Sequence, residues 1–409
     1  MTKHVAVLGA GPIGVEAALY ARALGYGVTL YDKGAVAANL ADWGHVHLFT
    51  PWRMIITPLG VETLRREARW PEFPEDVCPS GVELRDHYVV PLAESESLRG
   101  CVRTGTTILK IGKDRHDVVD AMGFRLLVED ASGTQRIDRA DLVLDCTGTY
   151  GRHRWAGRGG IPAPGELAVE DRIFYTLPDP AGRDRQQFAD RHTLLLGCGY
   201  SAATFLKDIE LLNRSHPVTK VTWAIRRPGL ALQMIADDPL PARRHLAEAS
   251  LRMAAEPPHW LRFLGGVAVE SIGFEHSTFT TQLTAVERID RDPHTTVRSD
   301  EVVALVGYAP DAGIYEQLFE HAPHATPGPI NFVAALLGEA GPDRRTTAGA
   351  AVSPDSNPQP DFYILGAKSY GTNSNFLMRI GHEQIRNAFR LIAGESFVDL
   401  YPALAAHRL

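Results

Sequence analysis

The chain has 409 residues, 44% of them hydrophobic and 22% charged, the composition of a folded enzyme of two or three domains rather than a disordered chain. A net charge of −7 gives no reason to expect a nucleic-acid partner. The first apolar run is interrupted by Gly9, Gly11, Pro12 and Glu16 before it could span a bilayer, and no signal peptide is evident, so a cytoplasmic protein is expected.

His4 to Leu8 reads as a buried parallel strand, and residues 12–24 read as a helix that stops at Gly25. Between them lies Gly9-Ala-Gly11-Pro12-Ile13-Gly14, a GxGxxG turn in the strand–turn–helix context that the pattern needs. The first glycine makes the turn, the second lets backbone approach a diphosphate, and the third lets helix pack on strand. The diphosphate would then rest on the helix N-terminus. The next strand, Val28 to Tyr31, ends in Asp32, an acid placed to hold an unphosphorylated adenosine ribose as in FAD or NAD. After it, Trp43-Gly-His45-Val-His47-Leu-Phe-Thr-Pro-Trp52 concentrates aromatic and imidazole side chains, which suits either a flavin-lining segment or a satellite core.

Residues 125–130 and 137–145 read as strands, the second running into Cys146-Thr147-Gly148. A Gly-, Arg- and Pro-rich stretch, 150–165, is expected to cross between domains, and its run Arg152 to Arg158 suits either cofactor phosphates or solvent. Gly197-Cys198-Gly199-Tyr200-Ser201-Ala202 is a second phosphate turn. The strand that follows, Val221 to Ile225, ends in Arg226-Arg227 with no acid, a pair suited to the 2′-phosphate of NADPH. Residues 230–265 are irregular and partly helical, 300–308 form a returning strand, 361–365 a last strand, and 375–393 a long helix closed by Gly394. The four cysteines show no CxxC or CxxxxC spacing, so no redox dithiol is expected. The sixteen histidines form no HxxxH or HExxH, so no metal site is expected either.

These motifs resemble the two-dinucleotide-binding-domain flavoproteins, the superfamily of thioredoxin reductases, flavin-containing monooxygenases and ornithine and lysine N-hydroxylases, over nearly the whole chain. The resemblance implies an α/β protein of two Rossmann-like, three-layer domains, with an NADPH domain at 165–300 inserted between FAD-domain segments 1–164 and 301–409. It implies FAD at Gly9, Gly11, Gly14 and Asp32, and Pro12, Ile13, Trp52, Thr147, Gly148, Gly366 and Asn375 are further candidates for holding the same cofactor. NADPH would lie at Gly197, Gly199, Tyr200, Ser201, Ala202, Arg226 and Arg227. The last helix of such proteins points its N-terminus at the flavin pyrimidine, where its dipole offsets negative charge.

Two features depart from common patterns. Gly366-Ala367-Lys368 replaces the Gly-Asp of many relatives, which favours the monooxygenase branch over the disulfide reductases, and the FxGxxxHxxx(Y/F) fingerprint is missing. The chain is also similar to bacterial FAD-dependent oxidoreductases of undefined substrate that carry WGHV…PW and GAKSYG stretches.

NADPH, molecular oxygen and no dithiol together imply a monooxygenase that oxygenates a small amine or sulfur metabolite through a C4a-hydroperoxyflavin. Hydride relay to a non-disulfide organic acceptor, or a cofactor-bound regulator without turnover, fits the same fold. Candidate catalytic residues are Lys368, Asn373, Asn375, His45 and His47. Asn373 or Asn375 suits a helix N-cap equally well, and Lys368 suits either a negative charge on flavin or substrate or a solvated strand end. His382 and Glu383 suit packing or an intrahelical pair.

Overall fold

Strands that are apolar on both faces need cover on both sides, and this chain meets that need twice with the same plan. The computed structural model describes residues 2–114, 123–229, 232, 238–286, 295–318, 360–371 and 376–401. The chain divides into two compact units, Met1–Arg152 with Ala309–Leu409, and His153–Tyr308. The fifteen described strands are numbered β1–β15 along the chain.

In the first unit β1 (His4–Leu8), β2 (Gly27–Tyr31), β3 (Val102–Arg103), β7 (Leu142–Asp145) and β15 (Phe362–Ile364) form a parallel sheet in the order β15-β7-β1-β2-β3. The connection from β3 to β7 is an antiparallel meander, β4 (Thr106–Lys113), β5 (Phe124–Asp130) and β6 (Gln135–Ala140). Helix α1 (Pro12–Ala23) follows β1 and is buried from Ile13 to Ala21. It is apolar nearly all round because it also packs on the last helix, where Tyr20 stacks on Phe389 with ring centroids 5.1 Å apart.

The second unit repeats the arrangement. Its parallel sheet has the order β10-β9-β8-β14, made of Leu261–Leu264, Lys220–Ala224, His192–Leu196 and Glu301–Ala304. A meander of β11 (Val267–Glu275), β12 (Thr278–Ala285) and β13 (Thr295–Ser299) connects β10 to β14. Helix α2 (Tyr200–Asn213) follows β8, and α3 is Pro241–Ala255.

The repeat extends to side chains. The His4 N–H donates to Asp141 Oδ2 at 2.6 Å and its Nε2 lies 3.0 Å from Thr29 Oγ1. His192 uses Asp300 (2.8 Å) and Thr222 (2.9 Å) in the same way. Each central strand is thus wired at its start to both neighbours.

Two expectations change. Residues 137–145 are two strands in two sheets, parted at Asp141, whose carboxylate is engaged by His4. The two compact units part at 152/153 and 308/309. The stretch after Arg152 is organised by buried Glu166, and β14 pairs with β8 of the second sheet. The last helix, α4 (Met378–Ala393), begins after Leu377, not at Asn375, and Leu377 provides no side-chain cap.

Inside α4, His382 is 1% exposed, and neither ring nitrogen has a hydrogen-bond partner among the described residues. Burial depresses its pKa to about 3. The unfolded chain therefore takes up a proton below pH 6.5 that the native state refuses, and stability falls as pH drops through this window. The His382→Leu variant should lack this component. Its stability relative to the parent should improve by about 2 kcal/mol between pH 7.5 and 5 in urea titrations; a pH-independent difference would mean that the ring is charged or paired in the native state.

Candidate dinucleotide-binding sites

Both glycine turns are fixed by backbone crowding. A Cβ on Gly9 (φ +91°) would lie 2.7 Å from the Cys146 carbonyl oxygen and 2.8 Å from Thr147 Cα. A Cβ on Gly14 would lie 1.8 Å from the Gly9 oxygen, so α1 can start only with glycine there. At Gly11 nothing stands within 4 Å of a Cβ. The turn therefore joins two glycines required by packing to one that opens onto free space, and Pro12 starts the helix without needing an N–H.

Asp32 completes this cradle. Its carboxylate accepts the Ala10 N–H at 2.7 Å and the Gly34 N–H at 2.8 Å, while the Ala37 N–H donates to the Ala10 carbonyl at 3.0 Å. Each carboxylate oxygen retains a lone pair for another donor. On the far side, Gly366 (φ +75°) lies against Ile13, as does Gly381 in the first turns of α4. The N-terminal turns of α1 and α4 thus meet at Ile13, and among the described residues neither has a side-chain cap. By contrast, Thr57 and Ser80 do cap the short helices that follow them. Uncapped N–H groups and aligned dipoles suit an anionic or electron-accepting group. The first cradle fits a dinucleotide on these grounds.

The second unit matches it. A Cβ on Gly197 (φ +117°) would sit 2.3 Å from the Leu305 oxygen, while Gly199 again opens onto free space. Trp223 Nε1 donates to the Gly197 carbonyl at 2.8 Å and fixes the turn. Tyr200 and Ser201 form the first turn of α2, and Ala202, fully buried, takes the place of the third glycine. Arg226 and Arg227 are exposed just beyond β9. Burial raises the Cys198 thiol pKa, and Arg227 and Arg226 pull against that rise, which places both cations near the turn. Further along the unit, Glu166 accepts the N–H groups of Ala156 (2.7 Å), Gly157 (3.2 Å) and Ala163 (2.7 Å) and the Tyr175 hydroxyl (2.8 Å). This buried carboxylate shapes 153–165, so the loop is not simply a solvated basic run.

Lys368 is neither free nor solvated. It is 3% exposed and forms a buried ion pair with Asp145 at 2.6 Å, donating also to Thr147 Oγ1 at 2.9 Å. Its charge is thus neutralised within the protein. Trp52 is 1% exposed and stacks on Phe73 at 4.7 Å, with Trp70 edge-on at 5.7 Å, so it belongs to an aromatic core rather than to the open cradle. His47 is exposed, its Nδ1 3.4 Å from the Cys78 carbonyl, and His45 is half-buried in the preceding turn. Thr147 and Gly148 follow the end of β7, with Thr147 Cα beside Gly9. Asn373 and Asn375 lie outside the described residues. Glu383 pairs with Arg379 at 3.6 Å within the helix.

Sequence reasoning missed Glu16. It is 1% exposed in α1 and accepts hydroxyls from Thr57 (3.0 Å), Tyr88 and Tyr401 (2.8 Å). Burial raises its pKa against these bonds. A lone acid inside an otherwise apolar helical run was the available signal. Among the described residues no cluster could hold a metal ion, and no helix is long and apolar enough to cross a membrane.

No protein-family model matches the sequence, and no curated protein matches it. Solved structures do match its fold. The bacillithiol disulfide reductase of Bacillus cereus is 16% identical, with 97% of this chain and 100% of that chain covered and a TM-score of 0.64. The FAD-bound cadaverine monooxygenase of Erwinia amylovora is 15% identical, with 98% of each chain covered and a TM-score of 0.60. The Kutzneria ornithine N-hydroxylase, solved with reduced FAD, NADP+ and L-ornithine, is 14% identical, with 96% and 99% covered and a TM-score of 0.61. At these identities the likeness is one of fold: the chain shares the α/β fold of these three structures over nearly its whole length.

The crowding separates the two kinds of glycine experimentally. In cofactor-free protein, Gly14→Ala should cost about 2 kcal/mol or more, whereas Gly11→Ala should cost less than about 1 kcal/mol. Thermal melts would decide this, and equal losses would contradict the division of roles.

Proposed function

We propose that this protein is an NADPH-dependent FAD oxidoreductase and, more narrowly, a single-component monooxygenase that oxygenates a small nucleophilic amine or sulfur metabolite. The observation that carries the reading is the pair of glycine-framed, uncapped helix N-termini, one followed by an acid and the other by two arginines. Asp32, already oriented by two backbone N–H groups, would receive ribose hydroxyls of FAD. Gly9, Gly11, Ile13 and Gly14 would present backbone to the diphosphate. The N-terminal N–H groups of α4 would face electron density on the flavin. In the second unit Gly197, Gly199, Tyr200 and Ser201 would hold the NADPH diphosphate, and Arg226 and Arg227 its 2′-phosphate.

Bound FAD supplies hydride acceptance and reaction with oxygen. The protein's own work is to orient both cofactors and keep water from the reacting atoms. Oxygen rather than a disulfide is the favoured acceptor because the four cysteines have no CxxC or CxxxxC spacing that would supply a redox pair. Burial also pushes the thiol pKa of Cys78, Cys146 and Cys198 upward, away from a reactive thiolate. The fold shared with a reductase supports a second reading, hydride transfer to an organic acceptor, which the cysteine spacing makes a non-disulfide one.

Two measurements test this. With 18O2, NADPH and a panel of amines and thioethers, a true substrate should gain one labelled oxygen per NADPH oxidised. Unlabelled, reduced product would assign the protein to the reductases, and negligible NADPH oxidation by FAD-loaded protein would leave a non-catalytic role. Replacing Arg226 and Arg227 by Gln should raise KM for NADPH roughly tenfold or more while leaving that for NADH nearly unchanged; equal effects would sink the 2′-phosphate assignment.

A further inference from the structure

We infer that Lys368 and Asp145 are positioning residues for the first cradle, an inference that rests on the proposed FAD site. Their ion pair sets the shape of the glycine turn. Lys368 Nζ stands 2.6 Å from Asp145 Oδ2 and donates to Thr147 Oγ1 at 2.9 Å. The Thr147 hydroxyl and N–H both donate to Asp145 Oδ1, at 2.7 and 3.0 Å. These bonds fix residues 145–147 where β7 ends. Thr147 Cα and the Cys146 carbonyl are the atoms that press on Gly9, at 2.8 and 2.7 Å from the site of a Cβ, so a shift at the ion pair is a shift of the turn.

The other end of the pair is anchored as firmly. Lys368 lies in the 3-10 turn Gly366–Tyr370. There the Gly366 N–H donates to Gln384 Oε1 at 2.8 Å, Gln384 Nε2 to Ser369 Oγ at 2.8 Å, and Ser369 Oγ to the Gly366 carbonyl at 2.8 Å. Gln384 belongs to α4, so the pair connects the helix meant to face the flavin with the turn meant to hold the diphosphate.

Stability alone does not account for the pair. The two side chains are 1% and 0% exposed, and taking both charges out of water costs about as much as their attraction returns. An apolar pair of similar volume would fill the space without fixing these directions. The arrangement also leaves no net charge, so electrostatic support for reduced flavin falls to the α4 N-terminus rather than to the lysine.

The test uses full-length protein freed of cofactor and titrated with FAD. Asp145→Leu combined with Lys368→Met removes both charges, and Thr147→Val removes the linking hydroxyl at nearly constant volume. Both variants should keep a cofactor-free melting temperature within a few degrees of the parent, yet weaken FAD binding roughly tenfold or more and alter the visible circular dichroism of the bound flavin. Parental affinity and spectrum in both variants would overturn the inference. Weaker binding matched by an equal loss of cofactor-free stability in Thr147→Val would also overturn it, in favour of a purely structural pair. If the parent itself takes up no FAD, the oxidoreductase reading fails and this inference with it.

Discussion

The structure depends on a backbone approach that only glycine permits, made once in each unit. At Gly9 and Gly197 the carbonyl beyond a neighbouring strand end, Cys146 or Leu305, stands too close to leave room for a Cβ. That contact brings the first strand of each sheet within bonding distance of the fourth and forces the chain to turn sharply into a helix. The helix then begins with bare N–H groups at the carboxyl end of a parallel sheet, where such folds take up ligands. The His–Asp–Thr wiring at the starts of β1 and β8 holds the other ends of the same strands. Each sheet is pinned at both ends of its central strand, and the open glycine, Gly11 or Gly199, is left as the face for a ligand.

Buried carboxyl groups are the second organising feature. Glu16, Glu166 and Asp145 are almost fully enclosed, and each is answered differently: by three hydroxyls, by three backbone N–H groups and a phenol, and by a lysine with a threonine. Removing any one partner would strand a polar group in a low-dielectric interior. Such groups fix geometry where apolar packing would allow sliding. Glu16 holds the helix starting at Pro58, the Tyr88 segment and Tyr401 against α1, Glu166 shapes the entry to the second unit, and Asp145 sets the end of β7.

What the sequence discloses follows the range of the physics. Local rules placed β1, α1, both glycine turns, Asp32 and the arginine pair, because glycine geometry and strand periodicity act over a few residues. The break at Asp141 was hidden because it depends on His4, which is distant in sequence. Lys368 and Asp145 were illegible as partners for the same reason, 368 and 145 being joined only by the fold, and a lysine at a strand end looks solvated until its carboxylate is known. Trp52 looked suited to a cofactor because aromatic density was visible and the Phe73 stack was not. The start of α4 moved because asparagine is a good cap, yet the helix begins beyond Leu377 with no side-chain cap.

We propose that the two cradles hold different dinucleotides, each independently of the other. The most direct measurement is calorimetric titration of cofactor-free protein with FAD and with NADP+, comparing the parent with Gly11→Val and Gly199→Val, positions where the side chain meets only the space meant for a ligand. Gly11→Val should lose FAD binding and keep NADP+ binding, and Gly199→Val should do the reverse. Retention of FAD by Gly11→Val, or loss of both ligands in either variant while the protein remains folded, would contradict it.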